Sequence, residues 1–297
     1  MKPTVHQYTT TVGGRPLTFE SGKLAAQAGG SVTVRFGDSI VFAAATMSPN
    51  PREAADFFPL TVDYEERLYA GGRIPGSYFR REGRPTEDAI LTARLTDRPL
   101  RPLFDKNIRN DVQVIMFSMS ADGVNPLDVL AINAASAAVM ISDIPWAGPV
   151  GAVRVGRVNG ELIINPTFSQ MAESDLDLRI AGTHDAILMV ECGAYEIPEA
   201  DMVAALMAGH QAIRPIVEAQ IKMAAEIGKP KRQVQTFPLD ESLVERVSAR
   251  ITTELTAALD APHTKAELYT FIDMLQATVV AEMASEDATQ APAVKQG

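Results

Sequence analysis

The stretch Ser31-Val-Thr-Val-Arg-Phe-Gly-Asp-Ser-Ile-Val-Phe-Ala-Ala-Ala45 sets the terms for the fold. Val32, Val34 and Phe36 alternate with Ser31, Thr33 and Arg35, the period of two that lays one face of a strand on a core. Gly37 and Asp38 then turn the chain into the apolar run Ile40 to Ala45, so the stretch predicts a β-hairpin. Two more hairpins follow the same logic. Val153 and Val155 face Leu162 to Ile164 across Asn159-Gly160, the strongest short-range signal for a tight turn. Leu176, Leu178 and Ile180 face Ile187 to Val190 across Gly182 to Asp185. Phe58 to Val62 and Val112 to Phe117 read as further strands.

Helices are expected between these strands. Asn125 is placed to cap a helix with Pro126 at its first position, and Leu127 to Ser142 is apolar almost all round, which predicts a buried helix. Thr86 to Leu95 predicts another, ending near Pro99. A long helix is expected from Pro198-Glu199 to Gly228, with Pro215 kinking or dividing it. Hairpins mixed irregularly with helices favour an α+β, mixed-sheet fold over a doubly wound parallel one.

The polar segment Gly228-Lys-Pro-Lys-Arg-Gln233 is read as a domain boundary. Beyond it Leu243, Val247, Ile251 and Leu255, then Leu268, Phe271, Leu275 and Val279, recur at helical spacing and predict a helical hairpin. The expected organisation is a core domain over 1–230, an all-α domain over 237–290 and a tail over 291–297. Ser285 onward carries no apolar pattern and reads as frayed.

Composition narrows the function classes. Of 297 residues 46% are hydrophobic and 22% charged, and no apolar run approaches the roughly 18 residues of a membrane span, so no membrane role is expected. The first dozen residues lack the pattern of a secretory signal, which makes the cytoplasm the expected compartment. Cys192 is alone, and His6, His184, His210 and His263 are scattered without zinc-ligand spacing. Dinucleotide-binding, P-loop and nucleophile-elbow glycine motifs are absent.

The formal net charge of −10 conceals a reversal. Between Arg67 and Arg109 ten bases, nine of them arginine, face five acids, so this window is +5 and the remainder −15. Arginine's planar fork suits bidentate phosphate contacts, which points to a phosphate-rich ligand. The alternative is that several of these arginines pair with Glu82, Glu87, Asp88 and Asp97 inside the fold. Within the window lies Gly71-Gly-Arg-Ile-Pro-Gly-Ser-Tyr-Phe-Arg-Arg-Glu-Gly-Arg-Pro85. Aromatics beside arginines suit a non-specific single-strand binder, because every base has a π-face and every nucleotide a phosphate. The bland reading is a Gly-rich loop with a buried aromatic.

The run Tyr78-Phe-Arg-Arg-Glu-Gly-Arg-Pro85, followed by Ala93-Arg-Leu-Thr-Asp-Arg-Pro-Leu-Arg-Pro-Leu-Phe104, closely resembles the first core domain of the polyribonucleotide nucleotidyltransferase family, the bacterial polynucleotide phosphorylases. Phe36-Gly-Asp-Ser39, Phe57-Phe-Pro-Leu-Thr-Val-Asp-Tyr-Glu-Glu66 and Ala181-Gly-Thr183 extend the resemblance, and Phe237 onward resembles the helical domain that follows this core. The resemblance implies an RNase PH-like core, with mixed sheets and helices of the kind in ribosomal protein S5 domain 2, followed by a small all-α domain. It implies a homotrimeric ring that draws in the 3′ end of single-stranded RNA, mRNA decay in the 3′-to-5′ direction by phosphorolysis, and association with other RNA-degradation proteins. The implied RNA-binding residues are Tyr78, Phe79, Arg80, Arg81 and Arg84, with Tyr where a second Phe is usual. The family's phosphate-binding serines and its Mg2+-binding acids belong to a second core that this sequence lacks, so no catalytic or metal-binding residue is expected here. Asp122-Gly-Val-Asn-Pro126 stands where the active core has serines. Asp175 and Asp177 match its paired acids, but the partner position is Met171, so they read as acids on a wet strand face near Arg179. A stand-alone RNA-binding or assembly module is the alternative reading, and an independent metal-dependent enzyme using Asp175 and Asp177 a third.

Overall fold

A computed structural model describes residues 4–52, 55–76 and 78–286. The chain divides into two compact units, Met1–Thr236 and Phe237–Gly297. In the first unit the stretch Ser31 to Ala45 forms strands β3 (Gly30–Phe36) and β4 (Ser39–Pro51), paired antiparallel with Phe36 opposite Ser39. Around them lie β1 (His6–Val12), β2 (Arg15–Ser21), β5 (Leu60–Glu65) and β6 (Asn110–Ser120) in the order β1-β2-β3-β4-β6-β5. Only β5 runs parallel to its neighbour, because helix α1 (Glu87–Leu100) lies between β5 and β6 in the chain and returns it to the same edge.

A second sheet holds β7 (Gly151–Val158), β8 (Glu161–Ile164), β9 (Leu176–Gly182) and β10 (Ile187–Ala194) in the antiparallel order β10-β9-β7-β8. Asn159 and Gly160, both at positive φ, make the tight turn between β7 and β8. Helix α2 (Asp128–Ile141) packs against strands of both sheets, and twelve of its fourteen residues are buried. Its polar residues are matched to that place. Asn133 exchanges two hydrogen bonds with Ala152 of β7, and the Ser136 hydroxyl donates to Gln220 while accepting from the Val150 amide. Gly30 lets β3 approach α2, because a Cβ there would run into the Ala138 carbonyl.

Several expectations change in the folded chain. Strands β1 and β2 form a hairpin that the sequence reading passed over, since its threonines and charged residues blur the alternation. The strand expected from Phe58 begins at Leu60. Asn125 does not cap α2, whose N-cap position is Leu127, because the Asn125 side chain is held by Asp122 and Arg15 instead. Helix α4 (Glu199–Ile227) runs undivided past Pro215.

The second unit contains α5 (Glu241–Asp260) and α6 (Lys265–Glu286). Leu243 and Val247 of α5 pack with Leu275, Val279 and Met283 of α6 in a core that also takes up Ile251, Leu255 and Phe271. Ser285 and Glu286, expected to be frayed, belong to α6, and the rest of the expected tail lies outside the described residues.

Candidate nucleic-acid interface

The loop between β5 and α1 is tied at its base and open at its tip. Glu82 accepts from the Leu68 amide at 3.3 Å, and the Thr86 hydroxyl donates to Glu66 at 2.8 Å while accepting from the Ala89 amide as the N-cap of α1. Between these ties Tyr78 is 94% exposed and Phe79 74% exposed. Their rings meet edge to face with centroids 5.5 Å apart. Two bulky apolar rings gain nothing from water, and each presents an open π-face. The bland reading of a Gly-rich loop with a buried aromatic therefore fails, because neither ring is buried.

Behind the rings, Arg80 takes a left-handed backbone with φ of 53°, a conformation that costs an ordinary L-residue roughly 1 kcal/mol. Arg73, Arg80, Arg81, Arg84 and Arg94 are exposed and have no ion-pair partner among the described residues. The other four arginines of the window are committed to the fold. Arg67 pairs with Glu65 and lies over the Phe117 ring, Arg98 pairs with Glu191 at 2.8 Å, and Arg101 pairs with Asp97 at 2.6 Å. Arg109 is buried and donates to the Lys106 and Ile108 carbonyls. Internal pairing thus accounts for Arg101 within the window, whereas Glu82 is spent on a backbone amide.

The turn from β6 into α2 holds a second polar constellation. Asp122 Oδ1 accepts from the amides of Val124 and Asn125, each at 2.8 Å, and Oδ2 accepts from Asn125 Nδ2 at 2.6 Å. Burial alone would raise its pKa, but these amides, with the Asn125 side chain and Ser39, outweigh it and hold the carboxyl at about 2. Asn125 Oδ1 in turn accepts from Arg15, whose guanidinium lies 4.3 Å over the Phe36 ring and also reaches the Asn165 carbonyl. An internal carboxylate therefore already occupies amides of the kind that hold anions ahead of a helix. Asp-x-x-Asn before a helix is the sequence signal for such a turn, and it went unread.

Asp177 on β9 accepts both Nε and an Nη of Arg154 at 2.6 and 2.7 Å, and Arg179 reaches it at 3.3 Å. Arg179 Nε also donates to Asp128 at 2.6 Å, with Arg154 3.6 Å from the same oxygen. Two arginines and two aspartates thus close a ring, and Arg154 is only 11% exposed. Asp175, just ahead of β9, faces Arg157 at 3.4 Å. The wet strand face expected for these acids is instead a half-buried ion network, which spacing could not reveal because Arg154 and Asp128 lie on other elements. These residues fit a divalent cation poorly: both oxygens of Asp177 and Oδ2 of Asp128 are taken up by guanidinium groups, Asp128 Oδ1 accepts from the Val129 amide, and the remaining position is Met171.

Residues 13–145 match domain 1 of the 3′ exoribonuclease family, and residues 148–212 match its domain 2. The chain belongs to the 3′ exoribonuclease family. It is 53% identical over 245 residues, 82% of its length, to a polyribonucleotide nucleotidyltransferase of Herpetosiphon aurantiacus, of which it spans 32%. It is also 53% identical over 255 residues, 86% of its length, to the Heliobacterium modesticaldum protein of the same name, of which it spans 36%. The chain therefore covers about a third of these curated relatives. The fold is that of rice (Oryza sativa) Rrp46, with a TM-score of 0.60 at 17% identity over 72% of this chain and 96% of that one. An α+β, RNase PH-type fold is thus established for residues 13–212. Among the described residues no helix is long and apolar enough to cross a membrane.

Proposed function

We propose that this chain is the RNA-guiding part of a polyribonucleotide nucleotidyltransferase, in which phosphate attacks the 3′-terminal linkage of RNA and releases a nucleoside diphosphate. The observation that carries this reading is the exposed ring pair Tyr78-Phe79 ahead of arginines that no carboxylate among the described residues neutralises. Bases of a single strand stack on the rings, and Arg80, Arg81 and Arg84 take the phosphates, with Arg73 and Arg94 extending the basic surface. A duplex keeps its bases stacked inside and fits such a surface poorly. Binding of this kind has little sequence preference, because phosphate contacts position a strand without reading it.

Turnover belongs to the part of the longer protein outside this chain. The Asp122 carboxylate holds the amides that a phosphate would need, and Asp128 and Asp177 are neutralised by Arg154 and Arg179. Mg2+ binding by the second core, a homotrimeric ring, a cytoplasmic setting and contacts with other RNA-degradation proteins are parts of the same proposal, resting on the chain's family membership. The chain is expected to bind an oligo(A) of about 20 nucleotides by fluorescence anisotropy and to release no nucleoside diphosphate with phosphate and Mg2+. Absence of binding at low salt, or diphosphate release that follows this chain through repurification, would contradict the proposal.

A further inference from the structure

Residues 229–236, after α4, run along the first unit and are fastened to it at both ends. At the near end the Lys229 amide donates to the Ile141 carbonyl at 2.9 Å and the Arg232 amide to the Asp143 carbonyl at 2.8 Å, while the Arg232 guanidinium pairs with the Asp143 carboxylate and Lys229 Nζ donates to the Ala28 carbonyl at 3.2 Å. Lys231 does more. Its Nζ donates to the carbonyls of Val139, Met140 and Ser142 at 3.0, 2.9 and 2.8 Å. These carbonyls lie at the C-terminal end of α2, where the helix dipole is negative, and that of Val139 also accepts from the amide and hydroxyl of Ser142. An ammonium has three donors, so one side chain serves three acceptors. At the far end Thr236 bridges to Ile108 of the core. Between the two fastenings, Arg232 and Val234 line a cavity of about 580 Å3 together with Leu103, Ile108 and Trp146.

We propose that residues 229–236 form a strap over the Trp146 cavity and that Lys231 is its clasp, so that loss of the Nζ donors lifts the strap while the core stays folded. The clasp is separable from the core because the strap contributes no strand to either sheet. Val234 packs only as a partly buried residue against the core, and Lys231 itself remains exposed over much of its length. Release would convert eight residues of docked chain into tether ahead of the helical unit, about 25 Å when extended at roughly 3.3 Å per residue.

Trp146 is the sole tryptophan, so its emission reports the cavity directly. In the full chain, Lys231→Met is expected to speed hydrogen exchange of the Lys229 and Arg232 amides at least tenfold and to shift Trp146 emission to the red, with exchange in β4 and β6 unchanged. Lys231→Arg keeps a cationic donor at the end of α2 and is expected to restore most of the protection. Unchanged exchange at 229 and 232 in Lys231→Met would overturn the proposal. So would a uniform rise across α2, β4 and β6, or a Lys231→Met chain that does not fold, because each would make Lys231 a part of the general framework and not a clasp.

Discussion

Arg80 and Arg81 differ from Arg67, Arg98 and Arg101 in having no acid among the described residues to neutralise them. Arg80→Ala with Arg81→Ala should therefore weaken RNA binding without altering stability. If two phosphate contacts are lost, the slope of log affinity against log salt should flatten by roughly 1.4, at about 0.7 per contact for single strands. Anisotropy titrations at several salt concentrations measure it, and an unchanged slope would mean that these arginines touch no phosphate. Asp122 supports a different prediction. Its carboxyl is held at about 2, below its unfolded value, so its contribution to stability is complete above about pH 4 and is lost as pH falls from there towards 2. Asp122→Ala should cost about 1–3 kcal/mol at pH 7, because two amides and the Asn125 side chain lose their acceptor, and should flatten the acid limb of the stability profile. Urea unfolding at pH 7 and at pH 3 separates the two effects. At this scale the sequence allowed the basic window to be counted but not sorted. Glu65 lies outside the window, and Glu191 is 93 residues from Arg98, so only folding decides which arginines are consumed.

Among the elements, α2 is the axis on which both sheets are assembled, and the clearance it needs is visible at Gly30. Gly30→Ala would push a methyl group into the Ala138 carbonyl, a backbone atom that cannot rotate away, and is expected to cost about 1–3 kcal/mol or more. Gly71→Ala meets nothing within 4 Å and should stay within about 0.5 kcal/mol of the parent, so the two unfolding midpoints make an internal control. Elements were legible where one physical signal dominated. Alternation placed β3, the Gly37-Asp38 turn and the apolar run after it placed β4, Asn159-Gly160 placed the β7–β8 turn, and near-unbroken apolarity placed α2. They were illegible where signals competed. Thr9, Thr10 and Thr11 obscured β1, Asp122 drew Asn125 away from the cap it could have formed, and the surrounding helix absorbed Pro215 without a break. The Asp177 network was hidden for a related reason: its partners Arg154, Arg179 and Asp128 come together only when β7, β9 and α2 pack.

For the molecule as a whole, a large two-sheet unit is followed by a helical unit whose core rests on five buried side chains, Leu243, Val247, Leu275, Val279 and Met283. A core that small has little stability in reserve. Leu275→Ala should remove about 2–4 kcal/mol from the helical unit and lower its calorimetric transition while leaving that of the first unit in place. The division of labour proposed for the first unit is equally separable, since Tyr78 and Phe79 contribute almost nothing to its core. The most direct measurement is therefore made on Tyr78→Ala with Phe79→Ala: the urea midpoint and the affinity for an oligo(A) of about 20 nucleotides, determined on the same preparation. At roughly 1–3 kcal/mol per stacked base, removing both rings should weaken binding about tenfold or more, with the midpoint almost unmoved. A large fall in the midpoint with RNA affinity preserved in the folded fraction would contradict the account, because the rings would then be holding the loop and not the RNA.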